Sequence, residues 1–184
     1  MELWDLYDEN RVKLGKTMVR GEKQPDGVYR IVVHACIFNS KGEMLIQQRQ
    51  PFKSGWSNMW DVTVGGSAVS GDSSRTAVER ELFEELGLEM SFEGIMPVLT
   101  LTPDGVFDDF YIAIRDDIDI SALKLQYSEV QRVKWASYGE IISMIKDGDF
   151  IPYSESFIDF IYHLRDHKRA LTDIDRTVQA VMPK

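Results

Sequence analysis

The chain holds a single cysteine, no excess of basic charge and no long apolar run. One thiol, Cys36, excludes an intramolecular disulfide and fits a reducing compartment. Set in an apolar stretch, Cys36 reads as a small core residue rather than a nucleophile. Basic residues number 21 against 30 acidic ones, a formal net charge of -9. That balance leaves no basic stripe for a nucleic-acid backbone. It permits a phosphorylated substrate where cations bridge the two anions. The apolar runs are too short and too broken to span a bilayer. The acidic opening residues lack the basic and apolar regions of a secretory signal, so a soluble cytoplasmic protein without membrane or nucleic-acid partners is the expectation. Repeats, low-complexity tracts and linkers are absent as well.

What is present suits a globular chain. The 184 residues, 43% of them hydrophobic, supply a sizeable core, which predicts a single domain. Alternating apolar residues around an Asp8-Glu9-Asn10 turn predict a hairpin over 2–19. Strands are predicted over 29–38, 43–49, 60–64, 92–101, 106–115 and 129–135, with turn residues between them. Helices are predicted over 138–146, from Tyr153 onward, and over 171–181. In the second of these, Phe157, Phe160, Ile161 and Leu164 recur as a core stripe. Strands interleaved with helices make an α/β chain whose natural form is a mixed sheet with helices on both faces.

The most informative stretch runs over 65–88. It ends in a helix-like segment where five carboxylates fall between Glu79 and Glu89. On a helix, Glu81, Glu84 and Glu85 share one face, a turn apart. Such like charges repel, and a hard divalent cation turns that cost into binding, because carboxylate oxygens are the ligands Mg²⁺ prefers. The preceding Gly65-Gly66 pair lets backbone approach the same spot. Gly87 suits the left-handed end of the helix. Asp72 suits an N-cap, and Arg80 has Glu84 within reach one turn on.

Gly66, Asp72 and the run Arg80-Glu81-Leu82-Phe83-Glu84-Glu85-Leu86-Gly87-Leu88 resemble the signature of the Nudix hydrolases. That signature is Gly, five residues, Glu, seven residues, then Arg-Glu-apolar-x-Glu-Glu-x-Gly-apolar. Asp72 is the one departure, standing where the family has Glu. The resemblance implies a Nudix-like α/β/α sandwich over 29–147, with an N-terminal extension over 1–28 and a C-terminal helical extension over 153–184. It implies a hydrolase of diphosphate bonds using Mg²⁺, with Mn²⁺ the alternative. The metal would be held by Gly66, Glu81, Glu84, Glu85 and a further carboxylate at Glu129. Arg80 would orient the catalytic Glu, and the choice between Glu84 and Glu85 as general base stays open. Asp72, one methylene shorter than Glu, would weaken the metal's outer support.

The opening Trp4-Asp5-Leu6-Tyr7-Asp8-Glu9-Asn10, the Leu45-Ile46-Gln47-Gln48-Arg49 strand and the Trp56–Trp60 approach to the glycines resemble one branch of that superfamily. The branch contains isopentenyl-diphosphate isomerases and hydrolases similar to them. The isomerases carry a catalytic Cys followed by Gly-His-Pro where this chain has Thr63-Val64-Gly65-Gly66. Isomerisation needs an acid and a base on opposite sides of the substrate, and with that Cys absent the resemblance favours the hydrolase. Isomerase and non-catalytic diphosphate-binding module are the alternatives. Arg49 and Lys53 keep the spacing at which the isomerases hold diphosphate; the other reading is a pair of solvated charges. Trp56, Trp60, Phe107 and Phe110 suit either stacking on an organic moiety or packing. The substrate is a small-molecule diphosphate that the motif does not name, and monomer and homodimer are both compatible with the two extensions.

Overall fold

A computed structural model of the chain describes residues 2–167. The expected hairpin forms from β1 (Leu3–Tyr7) and β2 (Lys13–Val19), with Trp4 opposite Met18. A seven-stranded sheet follows. It is built from β3 (Arg30–Phe38), β4 (Met44–Arg49), β5 (Trp60–Asp61), β6 (Val64–Ser67), β7 (Leu99–Leu101), β8 (Val106–Ile114) and β9 (Val130–Ala136). The helices are α1 (Ser74–Leu86), α2 (Tyr138–Asp147) and α3 (Glu155–Asp166).

The sheet divides at β3. On one side β3 runs parallel to β8 along its whole length, from Arg30 beside Val106 to Phe38 beside Ile114. On the other side it meets β4 only at Phe38–Met44, and β6 takes over that edge from Val32 to Ala35. Meanwhile β4 turns away to pair with β5 and β9. Buried Thr63 spans the gap. Its hydroxyl accepts from the Ile37 N–H at 2.9 Å and donates to the Leu45 carbonyl at 2.5 Å. The single strand expected over 60–64 is therefore two short ones, because Val62 and Thr63 leave the β4 ladder to cross toward β3.

Alternation along β3 sorts the core into two layers. Ile31, Val33, Ala35 and Ile37 pack with Ala77, Val78, Leu82 and Leu86 of α1. Cys36 and Phe38 pack on the opposite face with Ile141, Ile158 and Ile161 of α2 and α3. The result is an α/β/α sandwich with a mixed sheet. Ser73, not Asp72, caps α1: its side chain accepts from the Thr76 N–H, and Gly87 ends the helix at φ 65°.

Two other expectations shift. Of the strand expected over 92–101 only Leu99–Leu101 forms. Phe92 is fully buried and its N–H donates to Glu79 Oε1 at 2.7 Å, which fastens this segment to α1 instead of to a ladder. In α3, Ile161 and Leu164 are buried and Phe157 is half-buried, whereas Phe160 is 37% exposed and Ile158 takes the core position. The helix expected over 171–181 lies outside the described residues. Among the described residues no helix is long and apolar enough to cross a membrane.

Candidate active site

One guanidinium organises the acidic face of α1. Arg80 Nε donates to Asp72 Oδ2 at 3.1 Å. Its Nη1 donates to Glu81 Oε1 and to Glu84 Oε2, each at 3.0 Å, and its Nη2 to the Ser67 carbonyl at 3.0 Å. Helical spacing places Glu84 one turn from Arg80, and the loop before α1 brings Asp72 and Ser67 to the same fork. Asp72 also accepts from the Val69 N–H at 3.2 Å and from the Thr76 hydroxyl at 3.3 Å. Its short side chain thus closes the loop and aims Arg80.

Gly66 faces Glu81 at very close range. A Cβ on Gly66 would fall 2.2 Å from the Glu81 carboxyl carbon, so any side chain there would push the carboxylate away from the loop. Glu85 is buried and accepts from Gln47 Nε2 at 2.9 Å. Burial is the main cause raising Glu81 to about 7, against the lowering effect of Arg80. Burial raises Glu85 to about 8, reinforced by the nearby charge of Glu81 and, more weakly, of Glu129 and Asp61. Glu84 differs, with its side chain 47% exposed.

This donor set fits a divalent cation. One buried and one part-buried carboxyl group, raised by burial and by neighbouring carboxylates, are what a cation would ionise, and the glycine loop abuts one of them. Among the described residues no three acidic, His or Cys side chains already converge on one point. Arg80 draws Glu81 and Glu84, and Lys53 Nζ lies 2.5 Å from Glu129 Oε2. The two cations therefore neutralise the carboxylates that a metal would claim.

The remaining predicted residues are dispersed. Lys53 is engaged with Glu129, and Arg49 Nε donates to the Gly55 carbonyl at 3.2 Å. Trp56 is exposed, with φ at 49°. Phe110 is buried, stacked on His34 at 4.6 Å and edge-on to Phe157. Trp60 and Phe107 lie in the two core layers. Burial raises the Cys36 thiol far above its ordinary value, consistent with a core residue.

Sequence reasoning missed a polar group on the sheet face opposite α1. His34 Nε2 lies 3.0 Å from Asp108 Oδ1, close as an ion pair but without the alignment of a hydrogen bond. Burial disfavours the imidazolium, and the Asp108 charge outweighs it, so the net shift of His34 is upward. Its ring packs against Gly65, where a Cβ would meet Nδ1 at 2.6 Å. Asp61, raised by burial, accepts from the Tyr153 hydroxyl at 3.1 Å. No local pattern marked these residues; their partners lie far off in sequence.

A family model described as the NUDIX domain matches residues 28–159. An uncharacterised Nudix hydrolase of Listeria monocytogenes is 41% identical over 166 residues, covering 90% of this chain and 96% of that protein. An isopentenyl-diphosphate Delta-isomerase of Escherichia coli is 26% identical over 135 residues, covering 71% of this chain and 72% of the isomerase. Among solved structures, a Deinococcus radiodurans protein superposes with a TM-score of 0.70 at 24% identity, covering 88% of this chain and 99% of that one.

Proposed function

The chain belongs to the Nudix family of hydrolases, and on that premise we propose that it cleaves a diphosphate linkage in a nucleoside diphosphate derivative or related small organic diphosphate with the help of Mg²⁺ or Mn²⁺. The observation that carries this reading is the single fork of Arg80, which gathers Asp72, Glu81, Glu84 and the Ser67 carbonyl around the glycine loop. Glu81, Glu85 and the Gly66 carbonyl would hold the cation, with Glu84 completing the set and Glu129 in reserve beside Lys53. When bound, the cation supplies neutralisation of the phosphate charge and acidification of water.

The chain's own groups divide the remaining work. Glu84 would accept a proton from the attacking water, a role that its being the one exposed carboxylate of the three supports. Arg80 orients it and restrains its charge. Gln47 donates to one oxygen of Glu85, and the other oxygen would be the one to meet the metal.

A panel of nucleotide sugars, dinucleoside polyphosphates, nucleoside di- and triphosphates, coenzyme A and isopentenyl diphosphate, each with Mg²⁺, tests the reading. One class is expected to be cleaved by the native protein, with Glu84→Gln slower by about 10²-fold or more and chelator stopping the reaction. Conversion of isopentenyl diphosphate without change of mass would replace the hydrolase by an isomerase. Turnover undiminished in Glu84→Gln would remove that residue from the chemistry.

A further inference from the structure

Arginines in this protein mostly meet a carboxylate. Arg11 pairs with Asp109, Arg20 with Glu2, Arg80 with Asp72, Arg115 with Asp117 and Arg165 with Asp166. Arg30, the first residue of β3, is half-buried and takes part in none of the ion pairs among the described residues. Its guanidinium carbon lies 4.5 Å from the centre of the Trp4 ring, and its Nη1 donates to the Ser67 hydroxyl at 2.9 Å. Burial is the main factor disfavouring its charge, the neighbouring Arg20 adds to that, and Asp108 works against both. A desolvated cation without a carboxylate beside it is costly, and placing a second guanidinium near it raises the cost. An anion brought by a ligand would remove both costs.

The position of Arg30 says where that anion would stand. Ser67 directly follows Gly66, whose backbone abuts Glu81, and Arg80 holds the Ser67 carbonyl while Arg30 holds its hydroxyl. Ser67 is the residue after Gly66 in β6, so the hydroxyl that Arg30 holds belongs to the same short strand as the glycine that abuts Glu81, on the sheet face that His34 also takes. A guanidinium has five N–H donors, and the Ser67 hydroxyl uses one of them. The Trp4 ring lies against the guanidinium, and among the described residues Ser67 is its one side-chain hydrogen-bond partner. A planar fork matches phosphate oxygens in pairs. Of the cations expected from sequence to do this, Lys53 is paired with Glu129, and Arg49 gives one donor to the Gly55 carbonyl.

We propose that Arg30, held over Trp4 and hooked to Ser67, is the substrate-binding residue that receives the phosphate of the diphosphate farther from the metal. The assignment rests on the hydrolase reading for the identity of the anion. It places the N-terminal hairpin in the binding site, because the hairpin supplies the ring that lies against the guanidinium.

Calorimetric titration with inorganic diphosphate and Mg²⁺ tests it without turnover. Arg30→Met keeps the stem against Trp4 and removes the charge; it is expected to weaken binding tenfold or more, with the melting temperature within about 2 °C of native. Arg30→Lys keeps a charge but not the fork, and binding between the two is expected. Arg49→Met and Lys53→Met are the comparison variants, each expected to weaken binding less than Arg30→Met does. Native-like binding by either Arg30 variant would overturn the proposal. So would loss of binding confined to the Arg49 or Lys53 variant, or failure of the native protein to bind diphosphate. Failure of the hydrolase reading shows instead in the substrate panel, which this titration does not use.

Discussion

Burial holds Glu81 up at about 7 and Glu85 at about 8, against an ordinary carboxyl value of 4.5. The native protein therefore keeps protons that the unfolded chain releases above pH 4.5. Wherever the native state binds more protons, the free energy of unfolding falls as pH rises. In the presence of chelator, the free energy of unfolding from urea titration is expected to fall between about pH 4.5 and 8, by on the order of several kcal/mol over that window. Mg²⁺ should restore stability on the alkaline side, because it binds the deprotonated carboxylates. His34 contributes with the same sign. Its raised value gives stability that is complete below about pH 6.5 and lost as pH rises through the folded value. Glu85→Gln removes its share of the carboxyl component and His34→Gln removes the imidazole component, so the two profiles separate them. A flat native profile in chelator would mean that Glu81 and Glu85 are already ionised, and the argument for a cation at these groups would fail.

At the scale of elements, the glycine loop and α1 work as one device. The loop brings the Gly66 backbone against Glu81, and the first turns of α1 bring Arg80 back to the Ser67 carbonyl. Gly66→Ala forces a shift, because its Cβ would lie 2.2 Å from the Glu81 carboxyl carbon. Glu81 is the end of a flexible side chain, so the displaced group is the carboxylate and not the helix. The expected result is a melting temperature within a few degrees of native, with Mg²⁺ affinity and kcat each reduced about tenfold or more. Unchanged metal affinity in that variant would separate Gly66 from the site. Much of this device was legible in sequence, since Glu81, Glu84 and Glu85 follow helical periodicity and the glycines precede them at fixed spacing. The bond from Arg80 to Asp72 was not, because it spans eight residues across a loop; capping at Asp72 was the local reading, and Ser73 took it. Arg30 and His34 were hidden for a different reason. They stand among apolar residues on β3, and a strand pattern records which face a side chain takes but not its partners, Trp4 and Asp108, which lie on other strands. The break in the strand expected over 60–64 depends on Thr63 bonding two strands at once, and no local composition announces that.

At the scale of the whole molecule, Asp109 ties the hairpin to the sandwich and so to the proposed substrate site. Its side chain is fully buried. It accepts from Arg11 Nη1 at 2.9 Å and from Arg11 Nη2, from the Thr100 hydroxyl at 2.6 Å and from the Ser74 hydroxyl. One carboxylate thereby joins the hairpin turn, β7, β8 and the first residue of α1. On the hairpin's other side, Asp5 accepts from the Ser70 hydroxyl at 2.9 Å and the Gly71 N–H at 2.8 Å in the loop leading to α1. Removing one member of a buried ion pair leaves the other uncompensated, which costs roughly 3–5 kcal/mol, whereas removing both leaves no stranded charge. Arg11 is 33% exposed, so solvent softens the loss at its end. Arg11→Met strands the fully buried Asp109 and is therefore expected to cost about 3–5 kcal/mol, whereas Asp109→Asn leaves the partly exposed Arg11 and is expected to cost about 2–4 kcal/mol. The double variant should cost clearly less than their sum in a denaturation cycle. The same variants read out the hairpin's part in binding. If the hairpin positions Trp4, and through it Arg30, Arg11→Met should raise KM for the diphosphate substrate several-fold at a temperature where the variant is still folded, with kcat nearly unchanged. Additive stability losses would show that Arg11 and Asp109 do not act as a pair. Stability loss with KM unmoved would confine the tie to folding and detach the hairpin from the substrate.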